Sequence, residues 1–203
     1  MTARLVLIAA LMQAATPAVT ITQRLDTPQV RVYVATLTPH APVVSKNGHA
    51  TDRVLIYMDD GEMTIRDGAD TNHIAFTRGD VRWRPKSGPY VAENLGDRPI
   101  RILEIDLKGP PSGPLPVTKQ DPVTVDPKHY SVVFENDAVR VLRVQFGPGE
   151  KGAIHEHILN RVVFHLNDQP NAKADDVRIS GAAIHAESNE SERPAIRIAV
   201  ELK

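Results

Sequence analysis

Short segments in which hydrophobic and polar residues alternate recur along the chain from about residue 30 onward. In the first half they are VRVYVATL (30–37), RVLIYM (53–58), MTIR (63–66), DVRWRP (80–85) and IRILEIDL (100–107). Alternation with a period of two, rich in β-branched residues and bounded by Gly, Pro or Asp, is typical of β-strands. No segment beyond the N-terminal twenty residues keeps a helical period over three turns. The pattern therefore predicts an all-β protein.

The second half of the chain repeats segments of the first half in the same order. The matching pairs are VRVYVATLTP with VRVLRVQFGP, DRVLIYMDD with NRVVFHLND, DVRW with DVRI, and RPIRILEIDLK with RPAIRIAVELK. The spacing between partners becomes shorter towards the C-terminus, which indicates that the second copy has lost about one hairpin, the counterpart of GEMTIRDGADTNHIAFTRG. Four matches in order predict a tandem duplication of one β unit.

The N-terminal segment differs from the rest. It has one positive charge at Arg4, an apolar run from Leu5 to Met12, and then several small residues. This is the layout of a secretory signal peptide, and the run is too short to span a bilayer comfortably. We therefore expect residues 1–18 to be a signal peptide, the mature protein to be periplasmic or secreted, and no stable membrane span to remain after cleavage.

A proline-rich stretch separates the two copies. Residues 108–127 read KGPPSGPLPVTKQDPVTVDP, a composition typical of a stiff, extended linker. The predicted organisation is an N-terminal lobe at residues 27–108, a linker at 109–126 and a C-terminal lobe at 127–203.

Composition narrows the range of functions. The chain has 203 residues, a formal net charge of −1 and no cysteine. Near-neutral charge gives no electrostatic reason to expect a nucleic-acid partner, and the lack of cysteine excludes disulfides and thiolate chemistry. No Walker loop, dinucleotide fingerprint or nucleophile elbow is present.

Two incomplete motifs connect the chain to a known family. The second copy has Gly149 followed after five residues by His155, Glu156 and His157, and later His185 followed by Asn189. The first copy has Gly79, Pro85, Tyr90 and Asn94 at related spacing. In both respects the chain resembles the cupins, although Val162 and Val54 stand where the family motif has a glutamate.

The resemblance implies two tandem cupin-type antiparallel β-barrels of jelly-roll type, the second one shortened. It also implies a metal site in the second barrel. Side chains alternate along a strand, so His155 and His157 would share one face, and His185 would approach from a later strand. Three neutral imidazoles suit a divalent transition metal such as Mn, Fe, Ni or Zn.

The first copy has a different set of residues at the matching places. Asn47 and His49 stand where the second has its paired histidines, and Tyr90 stands for His185. An amide and a neutral phenol are poor ligands for a transition metal. We therefore expect this lobe to be metal-free, with Asn47, His49 and Tyr90 either lining a pocket for a small polar ligand or only closing the barrel.

Two functions follow from the sequence and remain open at this point. The first is an exported cupin-domain protein that binds a small molecule, and one divalent metal in the C-terminal lobe. The alternative is a metal-dependent cupin enzyme of the oxygenase or isomerase class that uses the three-histidine site. The sequence does not decide between a binding protein and an enzyme, because this fold carries many chemistries. The family resemblance also suggests homodimers, unless the two lobes of one chain cover each other.

Overall fold

The structure is a computed structural model that describes residues 16–109 and 118–203. The predicted signal peptide lies outside the described residues, apart from its C-terminal end. Within the described ranges no helix is long and apolar enough to cross a membrane.

The first lobe consists of nine strands. They are β1 (Val19–Asp26), β2 (Val30–Leu37), β3 (Val43–Ser45), β4 (Arg53–Tyr57), β5 (Gly61–Asp67), β6 (Asp70–Phe76), β7 (Val81–Arg84), β8 (Tyr90–Asn94) and β9 (Ile100–Leu107).

The second lobe begins with a short helix and continues with seven strands. They are α1 (Pro122–Val125), β10 (Tyr130–Glu135), β11 (Val139–Phe146), β12 (His155–His157), β13 (Arg161–His165), β14 (Val177–Ser180), β15 (Ala183–His185) and β16 (Ala195–Leu202).

Each lobe contains a five-stranded sheet with the same strand order. The order is β1-β2-β9-β4-β7 in the first lobe and β10-β11-β16-β13-β14 in the second, and all pairs are antiparallel. A second sheet faces each of them, β3-β8-β5-β6 in the first lobe and β12-β15 in the second. The predicted all-β jelly-roll class is confirmed, with each lobe built as two facing sheets.

The two large sheets pack against each other through an apolar core shared by both lobes. Val54 and Ile105 of the first lobe lie in it with Val162, Phe164 and Val200 of the second, and all five side chains are fully buried. The opposite face of each large sheet is covered by the smaller sheet of its own lobe. Because both faces are buried, every residue of β4 and of β13 is buried, and these strands read as nearly continuous hydrophobic runs.

A charged contact closes the edge of this shared core. Asp175, in a left-handed conformation with a φ of 71°, lies 2.5 Å from a guanidinium nitrogen of Arg78 and 2.6 Å from one of Arg101. Arg101 also pairs with Asp59 at 2.7 Å. One carboxylate of the second lobe is therefore held by two arginines of the first.

The shortening of the second lobe is located between β13 and β14. In the first lobe, the corresponding interval between β4 and β7 contains the β5–β6 hairpin, which the second lobe replaces with a loop. Phe76 of this hairpin stacks on Tyr57 with ring centroids 3.9 Å apart. In the second lobe, a cavity of about 160 Å³ lies next to His165.

Two elements lie beyond the predicted boundaries of the lobes. Strand β1 pairs along its length with β2, so the first large sheet begins at Val19 rather than at residue 27. Helix α1 lies inside the predicted linker, where Asp121 caps it and Pro122 is buried. The C-terminal end of that segment is therefore packed against the second lobe, while residues 110–117 lie outside the description.

Candidate functional site

Three histidines converge in the interior of the second lobe. His155 and His157 lie on β12, and His185 lies on β15 directly opposite His155 in the antiparallel register. The alternation of the strand turns His155 and His157 inward, where they are 0% and 3% exposed. One ring nitrogen from each of the three lies within 4.8 Å of the others. The structure thus brings together all three residues of the predicted metal set.

The ring orientation of two histidines is fixed by a partner behind each ring. Nδ1 of His155 lies 2.9 Å from the carbonyl oxygen of Ala153, and Nδ1 of His157 lies 2.9 Å from Oε1 of Glu201. Both partners accept hydrogen bonds, so Nδ1 carries the proton and Nε2 keeps its lone pair. This is the arrangement in which a histidine can ligate a metal through Nε2.

Two of the inward ring nitrogens form no hydrogen bond with the described residues. Nε2 of His155 and Nε2 of His185 are buried and have no hydrogen-bond partner in the described part of the chain. A buried polar atom without a partner is costly unless something else satisfies it. The chemistry of the donor set and these two unpaired atoms fit a bound divalent cation.

Burial keeps the imidazoles of His155 and His185 neutral. Burial lowers the pKa of His155, and burial lowers the pKa of His185 to about 4, against the opposing charge of Glu187. Both rings are therefore unprotonated at neutral pH and available as ligands.

A polar pocket of about 360 Å³ opens beside the three rings, with His157 and His185 in its wall. The remaining polar lining is Tyr130, Arg161, Arg178, Ser180, Glu187 and Arg197. The hydroxyl of Tyr130 donates to Glu187 at 2.9 Å, and Arg197 pairs with the same carboxylate. A small molecule in this pocket would lie next to the histidines.

At the glutamate position of the family motif, the structure has a different residue from the one that the sequence alignment gave. Val162 lies in the apolar core between the lobes, on the face of β13 that points away from the histidines. The residue on the pocket side is Arg161, whose guanidinium donates to the carbonyl oxygen of Gly181 at 2.6 Å. Burial lowers the pKa of Arg161. The second lobe therefore presents a cation, not a valine, beside the metal set.

The predicted ligand residues of the first lobe are only partly together. His49 and Tyr90 line a cavity of about 290 Å³ between the two sheets of that lobe. Asn47 is exposed and does not contribute to the cavity wall. Whether His49 and Tyr90 contact a ligand stays a prediction.

His49 is the structural counterpart of His157. The pairing of Arg53 with Asp106 in the first lobe matches that of Arg161 with Glu201 in the second. In the first lobe, however, it is Nε2 of His49 that lies 2.8 Å from the carboxylate of Asp106. The nitrogen that would face a metal in the second lobe is used for a hydrogen bond in the first.

The first lobe contains another group of possible metal ligands, formed by His49, Glu104 and Asp106. Their ligand atoms lie within 4.8 Å of one another. The oxygens of this group are already bound by cations and a hydroxyl. Arg31 lies 2.8 Å from Asp106, and Tyr33 donates to Glu104 at 3.0 Å. The oxygens of this group thus already have partners within the lobe, and the absence of metal from this lobe stays a prediction.

Comparisons with known proteins give structural relatives only. No protein-family model matches the sequence, and no curated protein matches it. The fold is similar to AerE from Microcystis aeruginosa, with 12% identity, a TM-score of 0.67 and coverage of 94% of this chain and 95% of that chain. It is also similar to a cupin 2 conserved barrel protein from Leptotrichia buccalis, with 13% identity, a TM-score of 0.58 and coverage of 95% and 93%. The chain has the cupin fold.

Two further solved structures have a similar fold. HEPD from Streptomyces albus, with 2-hydroxyethylphosphonate and Fe(II) bound, has 10% identity, a TM-score of 0.65 and coverage of 95% of this chain and 72% of that chain. Oxalate decarboxylase from Bacillus subtilis has 11% identity, a TM-score of 0.58 and coverage of 94% and 78%. At these identities the likeness concerns the cupin fold.

Several residues of this cupin site were missed by sequence reasoning. Glu201 lies in the last matching segment of the repeat, where VELK aligns with IDLK and Glu201 therefore aligns with Asp106. This alignment of two acids was a usable signal. Tyr130 and Glu187 carry no motif of their own, and only the fold brings them to the pocket. His129, which also carries no motif, is 5% exposed and bonded to Asp126 at 2.7 Å.

Proposed function

We propose that the C-terminal lobe binds one divalent transition metal through Nε2 of His155, His157 and His185, and that a small molecule binds in the pocket beside it. The observation that carries the proposal is the pair of buried, unpartnered Nε2 atoms of His155 and His185. Imidazole ligands suit Fe, Ni or Zn best and also accept Mn.

The pocket supports the small-molecule part of the proposal. Three protein ligands leave coordination positions open, and His157 and His185 form part of the wall of a cavity of about 360 Å³. A metal bound here would act as a Lewis acid that polarises an oxygen of the bound molecule. Arg161 and Arg178 favour an anionic or strongly polar group on that molecule.

Metal analysis of the purified protein with matched variants tests this function. We expect about one metal per chain in the wild type and none in His157→Ala. The control is His49→Ala, because His49 is the counterpart of His157 in the lobe that we expect to be metal-free. Equal metal content in the two variants, or a wild-type protein that takes up none of Mn, Fe, Ni or Zn, would contradict the proposal.

A metal-dependent enzyme is the second candidate function. The observation that favours it is the pair formed by Tyr130 and Glu187 at the pocket, because a hydroxyl bonded to a carboxylate can hold or move a proton next to a bound molecule. Tyr130 also lies against His155, with ring centroids 4.7 Å apart. Oxygen uptake or isomerisation of small acids by the metal-loaded protein, lost in Tyr130→Phe while metal content is kept, would support catalysis over binding alone.

Export is also part of the proposal and is supported by the N-terminal sequence. We expect the protein recovered from the periplasm or medium to begin after the small residues near position 15 or 18. N-terminal sequencing of that protein tests this directly.

A further inference from the structure

The first lobe contains a cavity that the metal proposal does not use. It has a volume of about 290 Å³ and lies between the large and the small sheet of that lobe. One part of its wall is apolar and includes Leu55, Met63, Ile65 and Ile102. The other part is polar and includes Arg53, Arg84, Tyr90 and His49. The cavity is thus amphipathic.

Arg53 is the unusual member of the polar wall. It is 3% exposed, and its NH1 atom is buried without a hydrogen-bond partner among the described residues. Its Nε lies 3.1 Å from Oε2 of Glu104, an ion pair whose alignment does not meet that of a hydrogen bond. A buried guanidinium normally satisfies its donors with planar acceptors. NH1 of Arg53 therefore lacks an acceptor among the described side chains and backbone groups.

One cation of the cavity wall has no anionic partner among the described side chains. Asp106 is held by Arg31 and His49, each at 2.8 Å, and Glu104 is paired with Arg53. Arg84 forms no ion pair within the described part of the chain.

The two guanidiniums meet at the same aromatic ring. Arg53 and Arg84 each lie 5.9 Å from the ring centroid of Tyr90. The polar end of the cavity therefore carries two guanidiniums beside one tyrosine ring, and Arg84 has no anionic partner among the described side chains, which suits a bound carboxylate.

We infer that this cavity binds a small monocarboxylate with an apolar body. The carboxylate accepts hydrogen bonds from Arg53 and Arg84, and the apolar body packs against Leu55, Met63 and Ile102. At about 30 Å³ for each non-hydrogen atom, the cavity holds on the order of ten such atoms. A neutral ligand would leave NH1 of Arg53 unsatisfied, and a dianion would meet the repulsion of Glu104.

The site is specific to the first lobe and does not depend on the metal. In the β-sheet register Arg84 pairs with Arg53, but the counterpart of Arg84 beside Arg161 is Ser180. Glu104 pairs with Leu55, whereas its counterpart beside Val163 is Ala199. The second lobe thus has only one of the two guanidiniums at this place.

Isothermal titration of the full chain with octanoate, in the presence of a chelator, tests the inference. Octanoate has the required charge and about the required size, and octanamide is its neutral equivalent. We expect one octanoate per chain, at least tenfold weaker binding of octanamide, and at least tenfold weaker octanoate binding in Arg84→Met and Arg53→Met, because each removes a charge-assisted hydrogen bond.

The control variant is Arg82→Met. Arg82 lies on the same strand, two residues from Arg84, but is exposed and outside the cavity. Arg84 is less buried than Arg53, so its variant keeps the test valid if Arg53→Met does not fold. Equal binding of octanoate and octanamide, unchanged binding in Arg84→Met, no binding at all, or displacement of octanoate by inorganic phosphate would each overturn the inference. Because the chelator removes metal, these results are independent of whether the three-histidine site is real.

Discussion

The carboxylate of Glu201 accepts a hydrogen bond from Nδ1 of His157 at 2.9 Å, and this bond sets which nitrogen of the ring is free. In the first lobe the corresponding carboxylate, Asp106, lies 2.8 Å from Nε2 of His49 instead. The same pair of residue types thus gives an inward Nε2 in one lobe and an occupied Nε2 in the other. A difference in ring orientation distinguishes the two lobes as much as the number of histidines does.

Removal of the carboxylate behind His157 is expected to weaken metal binding without removing a ligand. Groups that orient a ligating histidine typically contribute about 10–100-fold to metal affinity. We therefore expect Glu201→Ala to bind Zn or Ni at least tenfold more weakly, measured by competition with a chromophoric chelator. Asp106→Ala is the matched control, because it removes the equivalent acid of the first lobe, and its metal affinity should equal that of the wild type. A loss of the same size in both variants would mean that the effect is one of general stability.

The ring of His155 is positioned through the loop before β12. The carboxylate of Asp126 accepts a hydrogen bond from the N–H of Ala153 at 3.1 Å, and the carbonyl of Ala153 accepts one from His155. Gly152 lies directly against this arrangement, and a Cβ there would stand 2.5 Å from Oδ2 of Asp126 and 3.1 Å from the ring of Phe146.

Gly152→Ala is therefore expected to displace Asp126 and to loosen the position of His155. Overpacking of this kind costs about 1–3 kcal/mol of unfolding free energy, and we expect weaker metal binding together with it. Urea denaturation and metal titration measure the two effects. Gly88→Ala is the control, since a Cβ at Gly88 meets no atom within 4 Å. Wild-type stability and affinity in Gly152→Ala would show that the loop can adapt and that Asp126 does not position His155.

The ion pair of Asp59 with Arg101 in the first lobe, next to the contact between the lobes, gives the protein a predictable response to acid. Burial opposes ionisation of Asp59, but hydrogen bonds from the side chain and the backbone of Arg101 outweigh it and hold the pKa of Asp59 below its usual value. A group whose pKa is lowered on folding stabilises the protein above its unfolded pKa of about 4, and this stability is lost as the pH falls through the folded value.

Asp59→Asn should therefore be less stable than the wild type at pH 7, and the difference should shrink as the pH is lowered below about 4. Because both partners are partly exposed, we expect an effect of about 1 kcal/mol at neutral pH. Urea denaturation at several pH values between about 3 and 7 measures it. A constant difference across that range would mean that the hydrogen bonds of Asp59 matter and its charge does not.

The sequence was sufficient to predict which side chains share one face of a strand. It was not sufficient to predict whether that face is turned to the site or to the core between the lobes. The pair His155 and His157 was predicted to point inward because residues at i and i+2 share a face. The burial of Val162 was missed because the family motif was aligned onto Val162, although Arg161 and His165 lie together on the other face of β13. The unpartnered NH1 of Arg53 has no sequence signal, since RVLIY gives no sign that its arginine lines a cavity.

Two substitutions at the glutamate position of the cupin motif test which face of β13 is turned to the three histidines. Arg161 lies on the histidine side of β13, and Val162 lies in the core between the lobes. We expect Arg161→Glu to fold and to bind Ni or Zn at least tenfold more tightly than the wild type, because it places a fourth, anionic ligand type beside the three imidazoles. Val162→Glu should instead lose about 3–5 kcal/mol of unfolding free energy or fail to fold, because it buries an unpaired charge between two apolar sheets. Metal titration and urea denaturation of both variants give the answer. A folded Val162→Glu protein with tighter metal binding, next to an Arg161→Glu protein without it, would mean that the strand presents its other face to the site.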